Sequence, residues 1–413
     1  MSRQASPTSE ADAVAETAAA PRAPARLQSI DMLRGLVMVI MALDHTRDFL
    51  SNAPFDPTDL AHTSPALFLT RWITHFCAPV FVLLAGTGAY LSTASGRSAG
   101  QLAGFLASRG VWLVFLEVFV ITPLGWSFNW NFGFVRMQVF WAIGASMVVL
   151  AGLVPVLPRR VIGGLGLLIV LGHNLLDGPQ AALLGPLAPT WQFLHTITAL
   201  PVAPHRMLIF LYPLAPWFGV MALGYGFGDL VRLEAARRRT VLLLLGAAMI
   251  ALFLALRIPN LYGDPRPWVA QPTLAMTALS WINGTKYPPS LLYLLMTLGP
   301  ALMVLAVIDR APAAITGPLA TLGRVPLIYY LLHLPLIHGI AVCLSQLRYG
   351  QSGWLMHDMM AQKGAALPLP HGYGYDLWVV YAVWIAVVVA LYPACRWFAG
   401  VKQANRHPLL SYL

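Results

Sequence analysis

The sequence carries a dense group of histidines, carboxylates and arginines in one short stretch. Its members are Asp44, His45, Arg47, Asp48, Asp56, Asp59, His62, Arg71 and His75. Asp44 can reach Arg47 and Asp48 along one helix face, His45 can reach Asp48, and Arg71 shares a face with His75. A histidine accepts a proton near neutral pH, and a carboxylate can orient it and stabilise its charged form. The stretch is therefore equipped to deprotonate an amine or hydroxyl nucleophile.

The catalytic candidates are Asp44, His45, His62 and His75, with Arg47 and Arg71 as groups that position a substrate or stabilise an oxyanion. Two alternatives remain at this level. The same residues could form a structural ion-pair network that fixes a helical hairpin. They could also hold zinc, but their spacing fits no familiar zinc motif, so no metal is predicted.

Other ionisable groups lie inside apolar segments, where such groups usually mark function. Asp31 and Arg34 are three residues apart and can pair. Glu117 needs a partner in lipid, and Arg47, Arg71 and Arg136 are candidates; His333 lies midway along a later apolar segment. Glu117 and His333 join the positioning candidates.

Composition identifies the elements that hold these groups. The 413 residues are 58% hydrophobic and only 10% charged, with a mean hydropathy of +0.68, whereas soluble domains carry about 25% charged residues. Backbone groups in lipid must bond within their own segment, so the chain is predicted to be an all-α integral membrane protein of about ten transmembrane helices. The predicted spans are 33–50, 72–92, 104–125, 134–156, 160–177, 207–228, 240–257, 290–309, 322–346 and 377–399.

The charge distribution predicts the topology. With the N-terminus inside, most of the 26 basic residues fall in inside segments, which places both termini in the cytoplasm. The arginines are scattered between spans and form no continuous face, so the net charge of +10 does not indicate nucleic-acid binding. The three cysteines all lie in apolar segments and predict no disulfide framework.

The predicted organisation is simple. Residues 1–25 form a disordered cytoplasmic tail, 26–400 a single transmembrane domain and 401–413 a cytoplasmic C-terminal tail. The long outside segments 178–206 and 258–289 are rich in Pro, Trp and Tyr, which suits either a lid or substrate platform or simple interfacial anchoring.

Three segments carry a family resemblance. They are the opening Arg-Leu-Gln-Ser-Ile-Asp-Met-Leu-Arg-Gly-Leu at 26–36, which leads to Met-Ala-Leu-Asp-His at 41–45; the run from Thr74 to Leu91; and Leu322 to His333. Glu117 and the Trp-x-Phe-Asn motif that ends at Asn129 add to the pattern. The chain resembles the heparan-α-glucosaminide N-acetyltransferase-like membrane proteins, most strongly over the first four predicted spans and the ninth.

The resemblance implies a membrane acyltransferase. Acetyl-CoA would enter from the cytoplasm, and acetyl would pass to an amine or hydroxyl of an extracytoplasmic saccharide. His62 is the nearest counterpart of the family's proposed base, although His75 or His45 could be the true equivalent. Arg34 and Arg324 could clamp the phosphates of CoA, or serve as positive-inside anchors, and Asn129 joins the positioning candidates.

The rival hypothesis is a proton-coupled transporter that uses Asp44, Glu117 and His333 as a relay. A transporter needs a midplane site with alternating access, whereas an acyltransferase needs a cytoplasmic slot with a basic rim. The expected partners are the lipid bilayer, acetyl-CoA and a saccharide acceptor; a homodimer is left open. The expected location is the cytoplasmic (inner) membrane if the source is bacterial. The acceptor, the acyl chain length and the choice between an acetyl-enzyme and direct transfer stay undetermined.

Overall fold

The computed structural model describes residues 28–94, 96–357, 369–405, 407, 410 and 412. The predicted tail 1–25 and part of the segment 401–413 lie outside these residues. The α-helices are α1 (Gln28–Leu50), α2 (Pro65–Ile73), α3 (Cys77–Ala94), α4 (Ala99–Leu116), α5 (Val139–Leu153), α6 (Arg159–Gly172), α7 (Ala188–His195), α8 (Leu214–Gly226), α9 (Gly228–Val231), α10 (Ala235–Arg257), α11 (Leu274–Ile282), α12 (Leu291–Val307), α13 (Ala313–Arg324), α14 (Pro326–Tyr349) and α15 (Leu377–Ala404). The strands are β1 (Phe134–Met137), β2 (Thr198–Ala203) and β3 (Arg206–Phe210).

The fold is that of a helical membrane protein. Seven helices in the described part of the chain are long and apolar enough to cross a membrane, and the apolar α5 is shorter. The seven are Pro65–Thr93, Ala99–Ser127, Arg159–Leu176, Ala235–Arg257, Leu291–Arg310, Pro326–Tyr349 and Leu377–Ala404. The helix α1 carries several charged residues, which lower its hydropathy. The count of ten spans and the cytoplasmic termini stay predictions.

Two predicted spans differ from the observed elements. The spans expected at 134–156 and 207–228 begin with the strands β1 and β3, and their helices α5 and α8 start only at Val139 and Leu214. Apolar strands and apolar helices have similar composition, so hydropathy alone could not separate them. The sheet has the order β1-β3-β2, with β1 parallel and β2 antiparallel to β3.

The helix α1 lies at the centre, packed against α3, α12, α13, α14 and α15. Its contact with α13 is unusually close, because a Cβ on Gly35 would lie 1.9 Å from the carbonyl oxygen of Leu319. On α13, a Cβ on Gly323 would lie 1.8 Å from the carbonyl oxygen of Asp31. Only glycine permits backbone approach of this kind in a helical bundle. The contact brings the end of α13 beside the start of α1.

The helix α4 continues into a π-helical segment, Glu117–Ser127, which ends at Phe128 in the left-handed region (φ 45°). π-Helical turns are rare and occur often at functional sites, because they redirect side chains that a regular helix would place elsewhere. This segment positions Glu117 against the start of α5 and Trp126 against α1.

The face of the molecule where α1 begins is called the near face, and the face where α1 ends is called the far face. On the far face, tertiary hydrogen bonds join distant loops. Asn52 donates to the Asp376 carboxylate (2.8 Å), and Asn283 donates to the carbonyl of Thr58 (3.0 Å). These bonds hold the segment after α1 against the loops before α12 and α15.

Candidate active site

A buried histidine pair lies where α1 crosses α14. Nδ1 of His45 is 2.7 Å from Nε2 of His333, and the two rings stack with their centroids 4.9 Å apart. His333 is fully buried, and its Nδ1 lies 2.8 Å from the carbonyl of Tyr330 and 3.1 Å from that of Tyr329. The predicted contact between His45 and Asp48 is replaced by this pair.

The hydrogen bonds of this pair assign its proton positions when both rings are neutral. A carbonyl only accepts, so Nδ1 of His333 must carry the proton, and its Nε2 is then an acceptor. His45 must therefore donate from Nδ1, which leaves a lone pair on its Nε2. This Nε2 makes no hydrogen bond with the part of the chain that the structure describes. Through His333, the backbone of α14 thus fixes His45 in the tautomer of a proton acceptor.

Asp44, beside this pair, is the centre of an ion-pair cluster. Its carboxylate accepts from Nη1 of Arg71 at 2.7 and 2.8 Å and from the hydroxyl of Thr74 at 2.8 Å. Nη1 of Arg47 lies 2.7 Å from the same carboxylate, which confirms the predicted pairing of Asp44 with Arg47, while Nη2 of Arg47 donates to Asp48 at 2.6 Å. This cluster ties α1 to α2.

His75 and His62 occupy different surroundings. His75 is buried beside Tyr293, whose hydroxyl donates to the carbonyl of His75 at 2.7 Å, and its Nδ1 has no hydrogen-bond partner among the described residues. The side chain of His62 is 64% exposed and contacts Asp59 (2.7 Å) and the ring of Phe55. The metal-ligand atoms of the four catalytic candidates do not lie close enough together to share one ion; these candidates are Asp44, His45, His62 and His75.

Glu117 is completely buried, and it stabilises the start of α5. Its Oε2 accepts from the backbone N–H groups of Phe140 (2.8 Å) and Trp141 (3.1 Å). A carboxylate at a helix N-terminus satisfies otherwise unpaired N–H groups and interacts favourably with the helix dipole. Its hydrogen-bond donors are thus backbone N–H groups, and Arg136, one of the three arginines expected from the sequence, also interacts with it electrostatically.

Asn129 holds the loop that follows the π-helical segment. Its amide nitrogen donates to the carbonyl of Met356, and its amide oxygen accepts from the N–H of Asn131 at 3.2 Å. Neighbouring Trp126 meets His45 edge to face (centroids 5.4 Å apart), and Arg136 lies 4.7 Å above the Trp126 ring. The indole N–H of Trp126 is buried and has no acceptor in the described chain.

A cavity of about 290 Å³ extends from the near face into the bundle between α1, α3, α4, α5, α14 and α15. Four basic residues line it: Arg34, Arg109, Arg324 and Lys402. Arg34 also bonds to Asp31 and to the carbonyl of Gly323, both at 3.3 Å, which confirms the predicted pairing of Asp31 with Arg34. Arg34 and Arg324 were predicted from the sequence, whereas Arg109 on α4 and Lys402 on α15 were not.

The cavity also reaches the aromatic groups beside the histidine pair. Its walls include Phe140 and Tyr330, whose rings are 4.3 Å apart. The ring of Tyr330 lies 5.1 Å from that of His333 and 6.2 Å from that of His45. A single layer of aromatic side chains thus connects the cavity wall with the histidine pair.

Lys286, Tyr287 and Tyr212 form a second group that sequence reasoning missed. Nζ of Lys286 lies 5.2 Å from the ring of Tyr287 and 5.9 Å from that of Tyr212. Burial opposes ionisation of Tyr287, but the charges of Lys286 and Arg71 outweigh it and lower the pKa of that phenol. The aromatic content of segment 258–289 was the signal that could have found it.

These features define an integral membrane protein with a buried histidine pair that one aromatic layer separates from a cation-lined cavity. A family model described as heparan-alpha-glucosaminide N-acetyltransferase, catalytic, matches residues 26–258, which is more than half of the chain. The chain belongs to this family, and membership indicates an acetyltransferase of the membrane. No curated protein matches the chain. The matched region contains His45, Asp44 and Glu117, whereas His333, Arg324 and Lys286 lie beyond it.

Proposed function

We propose that this protein transfers an acetyl group from cytoplasmic acetyl-CoA to an amine or hydroxyl of an extracytoplasmic saccharide, with His45 as the general base. The observation that carries the proposal is the hydrogen bond between His45 and His333. A base needs an available lone pair and a fixed orientation. Because Nδ1 of His333 donates to the carbonyls of α14, its Nε2 accepts from Nδ1 of His45, which orients His45 and keeps the lone pair on Nε2 of His45. His333 acts as the positioning residue.

In this proposal the phosphates of acetyl-CoA lie on the basic residues of the cavity, and its pantetheine arm is directed inward. Arg34, Met38 and His45 follow the same side of α1 at spacings of four and seven residues. Arg34 and His45 are thus separated by about 16 Å of helix rise, at about 1.5 Å per residue, which is comparable with an extended pantetheine arm. Arg109, Arg324 and Lys402 supply further charge for the phosphates.

The transfer step balances within this arrangement. Nε2 of His45 takes a proton from the acceptor as the acceptor's nitrogen or oxygen attacks the thioester carbonyl. The oxyanion that develops needs a donor, and the buried indole N–H of Trp126 is available for it. Collapse of the tetrahedral intermediate breaks the C–S bond, and the imidazolium of His45 returns the proton to the CoA thiolate.

The acceptor would approach from the far face. Arg71 bonds to Asp44, Lys286 interacts with it electrostatically, and the rings of Tyr212 and Tyr287 lie 5.2 Å apart. These groups offer hydrogen-bond donors and flat apolar faces to a sugar. The basic residues at the near face agree with a cytoplasmic donor side. A cation-lined cavity on one side also favours an acyltransferase over the transporter alternative.

The test compares His45→Ala with His62→Ala in purified protein, using radiolabelled acetyl-CoA and a panel of amino sugars and neutral sugars. We expect His45→Ala to lose about 10² to 10⁴ of the transfer rate while acetyl-CoA still raises the melting temperature. His371→Ala, an exposed histidine on the far face, is the matched control. Loss of transfer in His62→Ala alone would assign the base to His62. Absence of acetyl-CoA binding in folded wild-type protein would refute the proposed activity.

A further inference from the structure

A second group of histidines and a carboxylate lies at the far face, just after α6 and at the end of α7. Nδ1 of His173 is 2.8 Å from Nε2 of His195, and this Nε2 is 3.5 Å from Oδ1 of Asp177. The three ligand atoms all lie within 4.8 Å of one another. His173 and His195 are only 2% and 1% exposed, whereas Asp177 is half-buried.

We propose that His173, Asp177 and His195 form a binding site for a divalent transition metal, with zinc as the best fit. Zinc binds imidazole nitrogens and carboxylate oxygens at about 2.0–2.2 Å in tetrahedral geometry, which places neighbouring ligand atoms about 3.3 Å apart. The two separations of 2.8 and 3.5 Å bracket this value, and the third lies within 4.8 Å, so local adjustment of the side chains would admit the ion. Because Asp177 is only partly buried, a water from solvent would serve as the fourth ligand.

Neighbouring residues orient the ligands in the way that metal sites require. The amide of Asn174 donates to Oδ2 of Asp177 at 2.8 Å, which leaves Oδ1 directed at His195. The ring of Trp191 stacks on His195 with centroids 4.6 Å apart, and its indole N–H is held by the carbonyl of Leu176 at 3.1 Å. Second-shell contacts of this kind fix the orientation of metal ligands.

The burial of the ligands also favours a metal. His173 and His195 are almost completely buried, and Asp177 is partly buried. A bound dication would compensate a carboxylate and two imidazoles that are otherwise withdrawn from water.

The site would connect three segments of the far face. His173 and Asp177 follow α6, His195 ends α7, and Asn174 accepts the backbone N–H of Leu291 at the start of α12 (2.9 Å). Strands β2 and β3 follow His195 directly. The metal would therefore have a structural role, and none of its ligands belongs to the cluster around Asp44 and His45.

The experiment measures zinc in the tag-free, detergent-purified full chain by plasma mass spectrometry. Titration with zinc alone follows, and then cobalt as a spectroscopic substitute. We expect about one zinc per chain, and visible cobalt bands of a four- or five-coordinate site. His195→Ala and the nearly isosteric Asp177→Asn should each weaken zinc binding at least about tenfold. His371→Ala should bind as wild type does.

Two outcomes would overturn the proposal. One is folded wild-type protein that neither contains zinc nor is stabilised by it. The other is Asp177→Asn and His195→Ala protein that binds zinc as tightly as wild type, which would place the metal elsewhere. Asp177→Asn keeps the result interpretable if His195→Ala fails to fold, because it preserves the shape and burial of the side chain.

Discussion

Replacing His333 with phenylalanine isolates the role of the histidine pair. His333→Phe keeps a ring of similar size in a fully buried position but removes the acceptor that faces Nδ1 of His45. His45 must then leave its Nδ1–H unpaired or change tautomer, and in the second case the lone pair no longer lies on Nε2. Both outcomes weaken the base without touching the acetyl-CoA cavity.

The expected magnitude follows from the lost hydrogen bond. The bond to His333 strengthens when His45 becomes an imidazolium in the transition state, and a hydrogen bond to a charged group contributes about 1.5–3 kcal/mol. At about 1.4 kcal/mol per factor of ten, the transfer rate should fall by about 10- to 150-fold. His45→Ala removes the base itself and should cost more, about 10² to 10⁴. His333→Gln offers a donor for the carbonyls of Tyr329 and Tyr330 and an acceptor for His45, so it should recover most of the loss.

The assay is single-turnover transfer of radiolabelled acetyl at saturating acetyl-CoA, with binding followed separately by thermal shift. His333→Phe should retain acetyl-CoA binding while its transfer rate falls, and His333→Gln should lie between it and wild type. A His333→Phe protein with the wild-type rate would refute the positioning role. Equal loss in the Phe and Gln variants, with binding intact, would show that hydrogen bonding at this position is not what matters.

Three further predictions concern the cavity, the fold and pH. Arg109→Ala should weaken acetyl-CoA binding, measured by calorimetry, about tenfold, because a charged contact with a phosphate contributes about 1.5 kcal/mol or more. Arg237 is an exposed arginine at the start of α10, and Arg237→Ala should leave the affinity unchanged. Equal losses of affinity in the two variants would indicate a non-specific effect of charge. Glu117→Ala should lower the free energy of unfolding by about 1–3 kcal/mol. Glu117→Gln should lower it by less, because Gln keeps one acceptor for the N–H groups of α5. A denaturant titration in which Glu117→Gln is the less stable of the two variants would contradict this. In protein freed of metal with a chelator, burial lowers the pKa of His195 to about 4, below its usual value of about 6.5, so the unfolded chain binds more protons as the pH falls. The contribution of His195 to stability should therefore decrease by at most about 3 kcal/mol between pH 6.5 and 4 and be constant above that range. The metal-free His195→Gln variant should lose correspondingly less stability over this range, and a pH dependence equal to that of metal-free wild type would exclude this.

Local spacing was enough to predict several parts of this site. The pairs Asp31 with Arg34 and Asp44 with Arg47 are three residues apart on one helix, where geometry places them together whatever the tertiary fold. The apolar character of the chain likewise predicted a helical membrane protein, since the backbone in lipid has few other ways to satisfy its hydrogen bonds. The opening motif of α1 was sufficient to recognise the family.

Only the tertiary structure decided which groups meet across helices. His45 and His333 are 288 positions apart, and their contact depends on how α1 packs against α14. The hydrogen bonds from the start of α5 to Glu117 depend on the π-helical segment, and no feature of the composition indicates that segment. His173 and His195 approach each other through a loop with no recognisable metal motif. The spacing of residues along a chain determines contacts within one helix, whereas contacts between helices depend on packing between distant surfaces.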